Sequence, residues 1–253
     1  MQDRYAGDVG DFLKLGLLRS VASHLGNTVR LGICWYLTPD ESHNNDGRHI
    51  SYLKSTSSHA TSLRDCDSRL YDGLRRLIIS GNRTVVRLRR SASLPQGTLV
   101  YDRMLSPGLT SDSREEWHRN ALAYLSKANL VFLDPDNGLA DAPSARLAHK
   151  YVLSHEVRDY FLSGKIVIMY HHADRSAGGA NVQVQRLAHH LQEITGSLPV
   201  GALIGRRGSC RYFLVLAPDD DRCRVAAALG DHAKRWYPHV EVRLFGASTG
   251  TPP

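Results

Sequence analysis

Side-chain chemistry is most concentrated in the peptide VFLDPDNGL at 131–139, where an apolar run ends on Asp134 and Pro135, Asp136, Asn137 and Gly138 follow at once. Ligands of open α/β sheets bind outside the carboxyl ends of the strands, so the first polar residue after a strand faces the ligand. In that setting Asp134 accepts a hydrogen bond from an exocyclic amine. Pro135, with its fixed φ, stiffens the backbone whose carbonyl accepts the second amine proton. The same residue types also make a good tight turn and nothing more. Asp136 and Asn137 complete the polar group, and His171, just after the apolar run KIVIMY at 165–170, is a candidate for substrate contact or general-base work.

Other constellations are weaker. His171, His172 and Asp174 form an H-H-x-D pattern, but adjacent ligands at a strand end point apart, and no metal is expected there. Asp134, Asp136, Glu156 and Lys165 read as a loose carboxylate and lysine set of the kind that holds magnesium in a metal-dependent nuclease. His155-Glu156 and His189-His190 sit in expected helices and read as surface residues. There is no G-x-S-x-G, no P-loop and no G-x-G-x-x-G, which disfavours the hydrolase-elbow, P-loop NTPase and dinucleotide readings. The four cysteines, Cys34, Cys66, Cys210 and Cys223, lie far apart without zinc-like spacing and read as reduced thiols.

The elements that must position these residues can be read from periodicity. A helix is expected after Asp8 or Asp11, with Leu17, Leu18, Val21 and Leu25 at helical spacing and Gly26 as its stop. TVRLGICWYL at 28–37 is expected as a strand ending before Pro39, followed by a long polar loop to about residue 67 that can serve as a lid. Residues 67–80 read as a helix, and TVVRLR (84–89) and TLVYDRM (98–104) as strands. Ser113 with Glu116 reads as a capping box opening a helix to about Lys127. LVFLDP (130–135), a helix to Leu162 stopped by Gly164, and KIVIMY complete the alternation. PVGALIG (199–205) and RYFLVLAP (211–218) are too close for a helical crossover and should pair antiparallel at one edge. The expected fold class is α/β, with a mainly parallel Rossmann-like sheet of the methyltransferase kind and a C-terminal antiparallel hairpin. It spans one domain, 1–245, with a polar insert near 39–66 and a flexible tail at 246–253.

Two peptides carry a resemblance to a known family, the adenine-amine methyltransferases acting on 23S ribosomal RNA, of the RlmJ kind. YAGDVGDFLKLGLL at 5–18 is similar to that family's H-A-G-N-H-A-D-V-L-K-H stretch, with Ala6, Gly7, Asp11, Leu13 and Lys14 at matching positions. FLDPDNGL at 132–139 resembles its I-D-P-P-Y segment at Asp134 and Pro135. The resemblance implies S-adenosylmethionine as cofactor and an amine of a nucleic-acid base as substrate. It assigns Lys14 to the cofactor carboxylate, Gly7 and Asp11 to the same end, and Asp102, after the 98–104 strand, to the neighbourhood of the cofactor adenine. The chain departs from the family after its first strand, where WYLTPDESHNNDG at 35–47 replaces the aspartate and glycine turn, so that Thr38 or Asp40 must stand in. It departs again at Asn137, which replaces the aromatic that stacks on the target base. A non-catalytic binding module with a degenerate methyltransferase-like sheet is the remaining alternative.

Lys and Arg number 32 against 25 Asp and Glu, a formal charge of +7, so the surface should favour polyanions. Arg87, Arg89 and Arg90 are one candidate nucleic-acid surface, but a charge cluster of this kind reads first as a solvated face. Arg206, Arg207 and Arg211, in the turn GRRGSCR beside the substrate end of the sheet, are the expected nucleic-acid contacts, RNA or DNA. No run approaches the roughly 18–20 apolar residues needed to cross a bilayer, and the opening residues carry three aspartates without a signal-peptide pattern. A cytoplasmic protein is expected.

Overall fold

The computed structural model describes residues 1–41, 47–54, 58–174 and 178–246. In chain order its elements are α1 (Val9–Leu25), β1 (Leu31–Cys34), α2 (Ser58–Cys66), α3 (Ser68–Ile79), α4 (Val85–Ser91), β2 (Leu99–Tyr101), α5 (Ser111–Tyr124), β3 (Leu130–Leu133), β4 (Gly138–Ala140), β5 (Tyr151–Leu153), α6 (Ser154–Leu162), β6 (Ile166–His172), α7 (Gly179–Thr195), β7 (Gly201–Gly205), β8 (Arg211–Leu216), α8 (Asp219–Trp236) and β9 (Val240–Leu244). Among the described residues, seven strands form one sheet in the order β2-β1-β3-β6-β8-β7-β9, and β4 and β5 pair separately. Strands β2, β1, β3 and β6 are mutually parallel, and β8 and β9 alone run against the rest. The chain is thus a mixed α/β fold on a large, mainly parallel sheet.

Side chains alternate across that sheet with the period of two that a pleated strand imposes. Ile33, Phe132, Ile168, Leu203 and Phe213 enter one core together with residues of α1, α3 and α8. Their neighbours Cys34, Val131, Met169, Ile204 and Leu214 enter a second core with residues of α5, α6 and α7. Both faces are therefore covered, which explains why the central strands read as unbroken apolar runs.

Helix α1 brings chemistry to the sheet's carboxyl end. Asp8 caps it by accepting from the Asp11 N–H at 3.0 Å, and 13 of its 17 residues are buried, among them Asp11 and Lys14. Packing against α8 is close enough that Gly16 is required, since a Cβ there would lie 2.2 Å from Trp236 ring atoms.

Several expectations are corrected. TVVRLR is helix α4, because Thr84 caps it through the Arg87 N–H and Val85 and Leu88 are buried at i, i+3 spacing. The cap of α5 is Thr110, whose hydroxyl accepts from the Ser113 N–H, in place of the Ser113–Glu116 box. The strands expected at 28–37 and 98–104 shorten to Leu31–Cys34 and Leu99–Tyr101. The polar stretch after Pro39 holds helix α2, while 42–46 and 55–57 of the expected insert, and the tail from 247, lie outside the described residues. The β7–β8 pair is internal to the sheet, because β9 adds outside β7. All four cysteines are free, and no helix among the described residues is long and apolar enough to cross a membrane.

Candidate functional site

A cavity of about 230 Å³ opens where the carboxyl ends of β3 and β6 meet the first turn of α1 and the start of β8. Asp11, Lys14, Asp134, Pro135, Asp136, Asn137 and Arg211 line it, so seven residues singled out in the sequence converge on one space. Tyr5, His49 and Tyr170 join them without having been anticipated, and so does His172, which the sequence offered only within the H-H-x-D pattern while His171 was given the site role. For Tyr170 and His172 a signal existed, since both stand at the polar end of the KIVIMY run.

Lys14 is the hub. Its ammonium lies 2.6 Å from Asp134 Oδ2 and 2.7 Å from Asp11 Oδ1, with the Met1 thioether at 3.5 Å. The Gly7 N–H donates to the other Asp11 oxygen at 2.7 Å, and Gly7 makes that approach from a left-handed φ of +84°, which a side chain rarely tolerates. Burial alone would favour neutral Lys14, but the two carboxylates outweigh it and raise its pKa. For Asp134 burial pushes the pKa up, and Lys14 opposes that shift.

Asp136 has its own partners. The Met1 amino group sits 2.5 Å from Oδ1, while Gln2 donates to Oδ2 at 2.7 Å and the Thr38 hydroxyl donates to the same oxygen at 3.3 Å. Burial would raise Asp136, but these cationic and amide donors hold it below the usual carboxylate range. Met1 also donates to the Tyr36 carbonyl at 2.7 Å, so this segment occupies the crevice between the loops that follow β1 and β3. Counting side chains alone, Asp8, Asp11, Asp134 and Asp136 face Lys14 and Arg211, which leaves an excess of negative charge along the lining.

Other expected site residues lie elsewhere. His171 turns away from the cavity, and its Nδ1 accepts from the Leu139 N–H at 3.0 Å. Burial lowers its pKa to about 4. It fixes β4 against β6 and is not available as a general base in the cavity, because successive strand residues alternate faces and only His172 points inward. Asp40 accepts from the Arg4 N–H at 3.2 Å at the exposed rim. Asp102 is half-buried beyond the end of β2 and does not line the cavity.

The arginine turn divides. Arg206 pairs with Glu241 at 3.2 Å on the surface, and Arg207 Nη2 meets His239 Nδ1 at 3.0 Å. Arg211, 5% exposed, turns inward, donates to the Arg207 carbonyl at 2.7 Å and packs over Gly10 of α1. The three therefore form no common outward surface. The carboxylate and lysine set is equally dispersed. Glu156 is buried against Arg114 at 2.6 Å and accepts from the Tyr36 hydroxyl at 3.1 Å. Lys165 precedes β6 at the opposite end of the sheet and donates to the Ser126 and Ala128 carbonyls. Among the described residues no group of three or more His, Cys, Asp or Glu side chains is arranged to hold a metal ion.

No family model matches the chain, and no curated protein matches it. A solved structure is similar to the chain. It is the crystal structure of protein LPL1258 from Legionella pneumophila str. Philadelphia 1, of family-model DUF519, with 11% identity and a TM-score of 0.45 over 96% of this chain and 99% of that one.

Proposed function

We propose that the protein is an S-adenosylmethionine-dependent methyltransferase acting on an exocyclic amine of a nucleic-acid base. One observation carries this reading: the two peptides that resemble the adenine-amine methyltransferases, 120 residues apart in the chain, meet through the 2.6 Å Lys14–Asp134 ion pair at the carboxyl end of a mainly parallel sheet. Strand-end crevices are where this class of sheet takes its ligands.

The lining suits the cofactor, since its excess of carboxylates attracts a sulfonium while Arg211 remains for an anionic group. When bound, S-adenosylmethionine supplies an electrophilic methyl group. Lys14 engages Oδ2 of Asp134, which leaves Oδ1 as the acceptor for the substrate amine. The amine N–H donating to Oδ1 orients the nitrogen lone pair, and Lys14 favours the ionised, acceptor-only carboxylate against the burial that opposes it. The Pro135 carbonyl accepts a hydrogen bond from the second amine N–H. Lys14 is already bridged between two carboxylates, so the cofactor carboxylate is reassigned from it to Arg211 and the first turn of α1.

A second reading is favoured by the crevice beside β1. Thr38 donates its N–H to the Met1 carbonyl at 2.8 Å, and Leu105 donates to the Leu37 carbonyl at 2.7 Å, so the loop after β1 is tied down on both sides without a glycine turn. That arrangement suits a binding module without methyl transfer. Titration calorimetry with S-adenosylmethionine separates the two, with measurable heat expected for the enzyme and none at millimolar cofactor for the module. In the enzyme, Asp134→Asn should keep cofactor affinity within a few-fold and lower transfer about a hundredfold or more, the effect of losing a transition-state contact worth roughly 3 kcal/mol. Unchanged turnover would reduce the DPDNG peptide to a turn.

A further inference from the structure

We infer that the α3–α4 helix pair is the docking surface for the phosphate backbone of a nucleic acid. This deepens the reading of the cavity by supplying the surface that the 206–211 turn does not. Residues 68–91 contain seven arginines and one aspartate, with no lysine or glutamate, a formal charge of +6 against +7 for the whole chain. Almost the entire net charge of the protein is therefore held by two short helices and the turn between them.

The arginines are displayed outward. Arg69, Arg75 and Arg76 of α3 and Arg87, Arg89 and Arg90 of α4 are exposed, while Leu70, Leu74, Leu77, Val85 and Leu88 are buried on the opposite faces. Asp72, the one acid, is taken by Arg64 of α2 at 2.7 Å. Among the described residues, no carboxylate lies within ion-pair distance of those six arginines. The helices are held side by side, since Gly73 packs so closely on the Ser91 carbonyl that a Cβ would come within 2.1 Å of it. Six like charges fixed on one rigid pair repel one another, a cost that a polyanion laid across them relieves.

The seventh arginine ties this surface to the cavity. Arg83, in the turn between α3 and α4, donates to the Ala6 carbonyl at 2.8 Å and to the Gly47 carbonyl at 2.7 Å. Gly47 lines the cavity, and the Val85 N–H donates to Asp3 at 2.7 Å. A strand held on the helix pair thus runs toward the mouth of the site where Asp134 lies. The chemistry favours nucleic acid over a lipid surface. Every cation here is a guanidinium, whose planar fork matches phosphate oxygens, and the apolar faces of both helices are spent on the core, leaving Ile79 and Val86 as isolated exposed apolar residues in place of a continuous face that could insert into a bilayer.

The test is fluorescence anisotropy with labelled single-stranded and hairpin RNA and duplex DNA across a salt series, without cofactor. The variant Arg75→Gln/Arg76→Gln/Arg87→Gln/Arg90→Gln should bind at least about tenfold more weakly, and its log–log salt slope for a single strand should flatten by up to about three units, at roughly 0.7 per lost phosphate contact. The two half-variants, at Arg75 and Arg76 or at Arg87 and Arg90, should each give part of that change, and Arg206→Gln/Arg207→Gln should leave the slope intact. A folded quadruple variant with wild-type slope and affinity overturns the inference. So does loss of binding to phosphatidylserine vesicles, or to an acidic protein, with RNA and DNA binding unchanged. Because cofactor is absent from the assay, failure of methyl transfer leaves this result standing, and the quadruple variant should keep the wild-type cofactor titration.

Discussion

At the scale of single residues, the site rests on one buried cation shared by two buried carboxylates. Removing such a charge is costlier than its attraction alone suggests, because the partners are left ionised without compensation in a medium that solvates them poorly. Lys14→Met should therefore destabilise the fold by about 3–5 kcal/mol in urea titrations at neutral pH. Lys14→Met/Asp134→Asn should recover part of the loss, since one orphaned charge is gone. A single variant as stable as the wild type would show that the cluster is solvated. Asp134 and Lys14 were legible in the sequence, one as the first polar residue after an apolar run and the other through the peptide around it. His171 was not, because strand alternation decides which of two adjacent histidines meets the cavity, and the strand's end is not marked by composition. The inward turn of Arg211 was equally hidden, since it depends on the absence of a side chain at Gly10, two hundred residues earlier in the chain.

At the scale of elements, patterns read well where burial alone decides them and poorly where local caps decide. The runs that became β3, β7 and β8 are buried throughout, as are the first four residues of β6, and all four read directly as strands. TVVRLR misled because two adjacent valines favour a strand, whereas the Thr84 cap and the Val85/Leu88 spacing favour a helix and prevail. Strand β9 was missed because its partly exposed residues carry no apolar run, and β4 and β5 because three residues are too few to show a period. Helix α1 offers an element-scale prediction. Ala is the better helix former by up to about 1 kcal/mol, yet Gly16→Ala should lower stability by about 1–3 kcal/mol, because its methyl would overlap the Trp236 ring. Thermal denaturation should show that sign, and Trp236→Leu in the same chain should reduce the penalty. A stabilised Gly16→Ala protein would mean that α1 and α8 are free to separate.

At the scale of the whole molecule, acid stability should be governed in part by a histidine far from the cavity. His232 is 0% exposed, stacks on Trp236 with ring centroids 5.0 Å apart, and has no hydrogen-bond partner for either ring nitrogen among the described residues. Burial lowers its pKa from 6.5 to about 3, so below pH 6.5 the unfolded chain binds a proton that the folded one refuses. The stability present above pH 6.5 is lost as pH falls toward 3, amounting to roughly 3 kcal/mol by pH 4 at 1.36 kcal/mol per unit. His232→Phe should flatten this limb of the stability curve and cost little at pH 8, since no hydrogen bond is given up. An unchanged acid limb would assign the loss to other groups. The contact of Gly16 with Trp236 also has a temporal meaning. Helix α1 is buried on nearly every side, but the ring that seals it is translated about 220 residues later, roughly 10–40 s at about 5–20 residues per second. Throughout that interval Phe12, whose ring centroid lies 4.8 Å from that of Trp236 in the folded chain, lacks its final cover, so apolar surface of the nascent helix stays open until the C-terminal helix arrives.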